Sequence, residues 1–273
     1  FEGFTSYYDD LLLRRAGLID HAGYLKLLTK AINQVLQTPG RLVQSVAQAS
    51  FDAWIKYYRQ DENTPNATVS YYTKGALVAL CLDLALRREG RTTLDDAMRA
   101  LWQRTGGGPM AEADVLAVLQ ELSGRDWSGE IAQWVHGTAD LPLAELLAAH
   151  GITLQADPAQ TAQRLGLRVA ENGGIQVKTV LRGGAAEAAG FMAGDEWLAL
   201  EAQGQAWRLL KLDELALYAG SATEVTALVA RDRRLLRLPL ALPAADAAAD
   251  TVRLDVQDAA TAQRWLGAAA SPA

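Results

Sequence analysis

Tyr72-Thr73-Lys74-Gly75-Ala76-Leu77-Val78-Ala79-Leu80-Cys81-Leu82-Asp83-Leu84-Ala85-Leu86-Arg87-Arg88-Glu89, closed by Gly90, is the stretch on which the fold turns. Its apolar residues run almost all the way round a helical wheel, which marks a helix buried on every side. Such a helix needs other helices around it, and the flanking sequence supplies them. Upstream, Tyr7, Tyr8, Leu11, Leu12 and Leu18 recur at three- and four-residue steps. Residues 22–37 continue with Leu25, Leu27, Leu28, Ile32, Val35 and Leu36 until Pro39-Gly40 stops the run. Residues 50–59 read as a short helix carrying Trp54, Ile55 and Tyr58, and polar 60–68, with Pro65, as a loop. Downstream, 93–105 opens on Thr93 as N-cap, Gly106-Gly107-Gly108-Pro109 breaks the pattern, and 112–123, 127–136 and 143–150 read as further helices.

Beyond residue 160 the period shortens. Residues 167–170, 175–180, 196–201, 223–230 and 235–240 are rich in Val, Ile and Leu and separated by glycine pairs or charged turns, the pattern of short strands. Two short helices, 185–190 and 212–219, interrupt them. The expected fold class is therefore multidomain α + β: an all-α unit over 1–155, then a small β-barrel-like unit with two short helices over 160–243. Residues 244–273 read as linker, possible extra strand and tail: Ala-rich 243–250 as the linker, 251–256 as the strand, and 268–273 as a disordered end.

Bulk properties narrow the function classes. A chain of 273 residues accommodates two domains, and half of its residues are hydrophobic, ample for two cores. The net charge of -6 argues against nucleic acid, whose phosphates call for a basic face. The single cysteine, Cys81, lies in the apolar run and reads as a small buried hydrophobe. The longest apolar run, 76–86, is interrupted by Asp83 and too short for a membrane span. The basic runs Leu86-Arg87-Arg88 and Arg231-Asp232-Arg233-Arg234 read as solvated faces or turns. Gly106-Gly107-Gly108-Pro109 lacks the following Lys-Ser/Thr of a phosphate loop. The chain opens on Phe-Glu-Gly-Phe without an initiator Met and reads as a cut piece of a longer protein. Its compartment is left open between periplasmic or exported and cytoplasmic in a bacterium.

The chemistry-bearing motifs sit at helix starts. Phe1-Glu2-Gly3-Phe4-Thr5-Ser6-Tyr7-Tyr8 resembles the E-G-F-x-x-Y segment of gluzincin aminopeptidases, and Ser70-Tyr71-Tyr72-Thr73-Lys74-Gly75-Ala76 resembles the Y-x-K-G-A segment of the same clan. Between them, Phe51-Asp52-Ala53-Trp54-Ile55-Lys56-Tyr57-Tyr58-Arg59 and Asp61-Glu62-Asn63 are similar to the glycyl aminopeptidase family in particular. The resemblance implies a zinc metallopeptidase in which Glu2 is the third metal ligand and Tyr72 hydrogen-bonds the oxyanion; the adjacent Tyr71 is the alternative in register. Read without the resemblance, Glu2 is a solvated carboxylate suited to a helix N-terminus, and the two tyrosines pack a helix start.

Members of that family place a PDZ domain after the catalytic helices. Ala185-Ala186-Glu187-Ala188-Ala189-Gly190-Phe191-Met192-Ala193-Gly194-Asp195-Glu196-Trp197-Leu198-Ala199-Leu200 resembles the PDZ signature. Gly190 is the expected left-handed cap of a short helix and Gly194-Asp195 a tight turn into a strand. Leu165-Gly166-Leu167-Arg168-Val169 resembles the carboxylate-binding loop, which implies peptide binding at Leu165, Gly166 and Leu167 through strand addition, with helix 212–219 as the far wall.

The chain contains no H-E-x-x-H, and its three histidines, His21, His136 and His150, are too scattered to replace it. His21, beside Asp20 at a helix start, reads as a surface or capping residue. The resemblance implies a full-length zinc aminopeptidase that removes N-terminal Gly or Ala from peptides, with an upstream H-E-x-x-H segment as partner, while this chain alone is expected to be inactive. The alternative is a non-catalytic scaffold whose PDZ module binds C-terminal peptides.

Overall fold

The structure, a computed structural model, describes residues 1–244 and 251–267. Helices come first: α1 (Glu2–Arg15), α2 (His21–Leu36), a 3-10 turn (Pro39–Leu42), α3 (Val46–Phe51), α4 (Thr64–Ala67), α5 (Tyr71–Glu89), α6 (Leu94–Thr105), α7 (Glu112–Ser123), α8 (Ser128–Trp134) and α9 (Leu143–Ala148). Then follow β1 (Ile152–Ala156), α10 (Thr161–Leu165), β2 (Leu167–Glu171), β3 (Ile175–Val180), α11 (Ala185–Ala189), β4 (Glu196–Ala202), β5 (Gln205–Arg208), α12 (Glu214–Ala219), β6 (Glu224–Arg231), β7 (Arg234–Ala241), β8 (Val252–Val256) and α13 (Ala259–Leu266).

Helix α5 is the axis of the helical unit. Ser70 caps it by accepting from Thr73 N at 3.2 Å, and Gly90 ends it at φ +74°, a left-handed conformation that glycine adopts without a Cβ clash. Leu77, Leu80, Leu84 and Leu86 are buried in a core shared with Leu11 and Ile32. By length and composition 64–89 is apolar enough to cross a membrane, but 78% of that window is buried inside the protein, the position of a core helix. The one carboxylate in the apolar run, Asp83, is 1% exposed and fully partnered. Tyr7 OH donates to it at 2.7 Å, Arg87 Nε at 2.8 Å and Leu94 N at 3.0 Å, so one buried charge ties α1, α5 and the start of α6 together. Arg87 is thus no solvated face residue. A carboxylate taken out of water needs a cation, and Arg87 is one turn away.

The sheet unit has strand order β2-β3-β4-β6-β7, all antiparallel, with β5 paired to β4. The barrel expected over 160–243 is not closed: β2 and β7 lie at the two ends of the sheet. Helix α10 packs on β2, α11 packs on β7, and the two helices touch, so helices rather than strand pairing fill the gap. Three short helices, not two, accompany the strands. Gly190 caps α11 at φ +87°. Asp195 is completely buried and held by Arg231 Nε at 2.7 Å, Arg231 Nη2 at 2.8 Å and Met192 N at 2.9 Å. Within the basic run, Arg231 therefore clasps a buried carboxylate. Asp232 and Arg233 form the hairpin turn with φ of +49° and +67°, the pair of positive angles that a two-residue antiparallel connection favours.

The C-terminal segment returns to the helical unit. β8 pairs antiparallel with β1, Ile152 opposite Val256, and Asn33 grips it by accepting from Val252 N at 2.7 Å and donating to Val252 O at 2.8 Å. Ala262, Trp265 and Leu266 of α13 enter the helical core. The extra strand expected at 251–256 is thus present, and the region read as linker and tail also carries a packed helix. Residues 245–250, in the linker, and 268–273 lie outside the described residues. Elsewhere, the helix expected at 50–59 sits earlier, at Val46–Phe51, where Ser45 and Gln48 form a reciprocal capping box. The expected loop 60–68 contains α4.

Candidate active-site cleft

Helices α1 and α5 cross with their backbones in contact. A Cβ on Gly3 would lie 2.5 Å from the Gly75 carbonyl carbon, and one on Gly75 would lie 2.9 Å from Gly3 Cα, so only glycine fits on both sides. These are the glycines of the E-G-F and K-G-A segments. The crossing puts the first turns of both helices side by side, and Glu2 and Tyr72 line one cleft of about 620 Å3 together with Phe4, Trp54, Tyr58 and Glu112. Tyr71 also borders it, but its side chain is buried. Glu2 is half-buried, and Thr5 Oγ1 lies 3.4 Å from Glu2 Oε2 while donating to Glu2 O at 2.9 Å.

Three phenols meet at the mouth. Tyr58 OH lies 3.0 Å from Tyr72 OH and 3.2 Å from Tyr71 OH. Tyr57 stacks edge-on against Tyr71 at 5.3 Å and contacts Ser70 Oγ at 3.3 Å, fixing the cluster to the helix cap. The sharing is unequal. Hydrogen bonds from the Tyr71 and then the Tyr72 hydroxyl favour the phenolate of Tyr58, whose pKa falls below the ordinary tyrosine value. Tyr72 moves the other way: its bond to Tyr58 raises its pKa, and the negative charge of Glu2 adds to the rise. Tyr71 is raised too, first by its bond to Tyr58 and then by burial. Tyr72 therefore stays a neutral O–H donor at neutral pH.

On another part of the cleft lining, Glu112 Oε2 lies 2.7 Å from His136 Nε2. His150 is buried with Nδ1 on Leu146 O at 3.0 Å, and burial lowers its pKa. His21 contacts Gly267 O at 3.1 Å, while Asp20, not His21, caps α2 by accepting from Gly23 N at 2.7 Å. Among the described residues no group of three His, Cys, Asp or Glu side chains is close enough to hold a metal. A catalytic zinc site takes three protein ligands and an open position.

Leu165 and Leu167 point into the sheet core, and Gly166 between them is left-handed at φ +73°. Its N–H donates to Gln163 O at 3.0 Å and its carbonyl accepts from Leu181 N at 2.7 Å. The Gly166 N–H is thus engaged within the chain. Strand β2 runs along the sheet's end, and its last residue, Glu171, accepts from Leu212 N at 2.7 Å at the approach to α12.

Tyr58 and Trp54 are cleft residues that the sequence marks only as part of a short helix and of the family resemblance. Their exposure at 50% and 79% is the signal that was available only in three dimensions. The Glu112–His136 pair gave no sequence signal, its members standing 24 positions apart.

Residues 1–78 match the family model of M61 glycyl aminopeptidases. The whole fold is similar to the crystal structure of an aminopeptidase N family protein from Idiomarina loihiensis, with TM-score 0.86 and 31% identity, over 98% of this chain and 48% of that one. The chain therefore spans about half the length of that protein, at 48%. No curated protein matches the chain. Glu2, Gly3, Tyr72 and Gly75 all lie inside the residues that match this family model.

Proposed function

We propose that this chain is the C-terminal portion of a zinc-dependent aminopeptidase that removes N-terminal residues, Gly or Ala, from peptides. The observation that carries the reading is the crossing of Gly3 on Gly75, which turns Glu2 and Tyr72 into one cleft. Zinc, when bound, polarises the scissile carbonyl and brings the pKa of its water to about 7. Glu2 is the carboxylate this chain contributes to holding it, and an upstream H-E-x-x-H segment supplies the rest. Tyr72, kept protonated by Tyr58 and by the Glu2 charge, donates its O–H to the oxyanion. A donor of that kind accounts for about 10²–10³ in kcat when aimed at the developing charge. The apolar lining from Phe4, Val78 and Val115 excludes water from a small side chain. Alone, the chain has no hydrolytic activity.

The units divide the labour as 1–155 for the cleft and 160–243 for a PDZ-like module. The edge of β2 favours a second role for that module, addition of a C-terminal peptide as an extra strand at Leu165, Gly166 and Leu167. If the upstream segment lacks its two histidines, this binding function is what remains.

The test is Tyr72→Phe in the full-length protein. Turnover of an aminoacyl substrate falls by about two orders of magnitude with zinc content unchanged. Unchanged turnover removes Tyr72 from the mechanism. Loss of zinc in Glu2→Gln supports the ligand role, and full zinc retention in that variant ends it.

A further inference from the structure

A second cavity, about 360 Å3, lies between the two units and shares no residue with the Glu2 cleft. Its size falls in the range that takes small ligands. The helical unit gives Pro39, Arg41 and Leu42, and the sheet unit gives Arg164, Arg168 and Arg182. Four arginines line it and, among the described residues, no Asp or Glu does, in a chain of net charge -6. Arg41 pairs with Asp140 at 2.9 Å behind the wall. The other three make no ion pair among the described residues. Among the described residues, Arg168 Nη2 reaches Thr38 Oγ1 at 3.3 Å, Arg164 Nη1 reaches Pro243 O at 3.4 Å, and Arg164 Nε is buried without a hydrogen-bond partner. Buried Lys74, with Nζ 3.3 Å from Arg41 O, adds positive charge from behind. Besides Asp140, Glu187 stands near the rim among the described residues, accepting from Gly183 N at 2.6 Å.

Arg164 is half-buried with its Nε unpartnered, while Arg168 and Arg182 reach the cavity from exposed positions, and the protein packed around Arg168 lowers its pKa. Arginine forks fit phosphate and carboxylate oxygens in pairs. The walls are fixed: Asn66 of the helical unit donates to Val180 O at 2.8 Å and accepts from Arg182 N at 2.9 Å, and Gln37 accepts from Gln163 Nε2 at 3.1 Å.

We propose that this inter-unit cavity binds a small, multiply charged oxyanion, a polyphosphate or a polycarboxylate, which draws Arg164, Arg168 and Arg182 onto one ligand and clamps the sheet unit to the helical unit. A singly charged carboxylate leaves two of the three guanidiniums uncompensated and binds weakly. Occupancy stabilises the native state because the unfolded chain has no such convergence.

The chain as it stands is titrated with pyrophosphate and with citrate at constant ionic strength, reading Tm and calorimetric heat, with acetate and chloride as monovalent references. The predicted result is a saturable rise in Tm with either or both polyanions, and none with acetate. The one that binds more tightly assigns phosphate or carboxylate chemistry. Arg168→Gln/Arg182→Gln weakens binding at least tenfold, whereas Arg208→Gln/Arg234→Gln, which removes equal charge elsewhere on the sheet unit, changes it less than twofold. Leu42→Glu, at an exposed position on the cavity wall, places a carboxylate inside and gives the same loss if the double variant does not fold. No saturable effect beyond chloride, equal binding by acetate, or equal loss in both double variants overturns the proposal.

Discussion

Two glycine contacts, one in each unit, do different work. In the helical unit Gly3 meets Gly75 across two long helices, and the neighbours of both glycines, Glu2 and Tyr72, line the cleft. In the sheet unit Gly166 meets Gly184, each with an added Cβ 2.9 Å from the other's Cα. That contact closes a loop on itself, with Gly166 N–H and C=O both satisfied within the chain. The first brings side chains together and leaves space in front of them, and the second uses up the Gly166 backbone groups, so that side chains such as Arg168 and Arg182 carry the binding in the cavity beside it. Backbone proximity therefore marks a site only where the adjacent side chains are long, polar and turned to the same side.

The comparison predicts unequal costs. Gly3→Ala has the largest effect. The clash is with backbone atoms of α5, which cannot rotate away, so overpacking of about 3 kcal/mol exceeds the helix-propensity gain of about 1 kcal/mol. Urea denaturation should show a net loss of about 2 kcal/mol, together with loss of the Tyr58–Tyr72 contact by NMR. A fully stable variant would break the claim that the crossing needs glycine. Gly184→Ala comes next. It strains a short loop that can shift, at about 1 kcal/mol, and leaves the tyrosine signals of the cleft where they were. A change there would mean that the two contacts are not independent.

Neither crossing carries a charge, so pH acts elsewhere. His150 is buried against Trp265, with ring centroids 6.2 Å apart, and its pKa is lowered by burial. The folded state thus binds fewer protons at this site than the unfolded chain. Its contribution is complete above about pH 6.5, the ordinary histidine value, and is lost as pH falls from there through the lower folded value. The denaturation midpoint should fall over that range, and His150→Gln should flatten the slope. An unchanged slope would assign the acid sensitivity to other groups.

The same contrast explains what the sequence could reveal. Helix α5 and strands such as Ile175–Val180 were legible because burial leaves a period in the sequence, all round for the helix and alternate for the strand. β5 was not, since Gln205, Ala206, Trp207 and Arg208 are all exposed and nothing alternates. β1 and β8 stabilise each other across about a hundred positions, so neither is strongly marked locally. The helix expected at 50–59 was misplaced because Trp54, Ile55 and Tyr58 imitate a buried stripe. Ile55 is 69% exposed, and Trp54 and Tyr58 form the rim of the cleft instead. Glu2 and Tyr72 were readable through their motifs, but the reason for the glycine beside each, and the part of Tyr58, required the crossing itself.

The most direct test of the central claim, that Glu2 and Tyr72 face one another across the cleft, is a fluorine NMR titration with 3-fluorotyrosine at position 72. The Glu2 charge helps to raise the pKa of Tyr72, so Glu2→Gln should shift that titration to lower pH while a control, Glu62→Gln, leaves it in place. An identical titration curve in the Glu2 variant would contradict the account, because it would place the carboxylate and the phenol in separate surroundings.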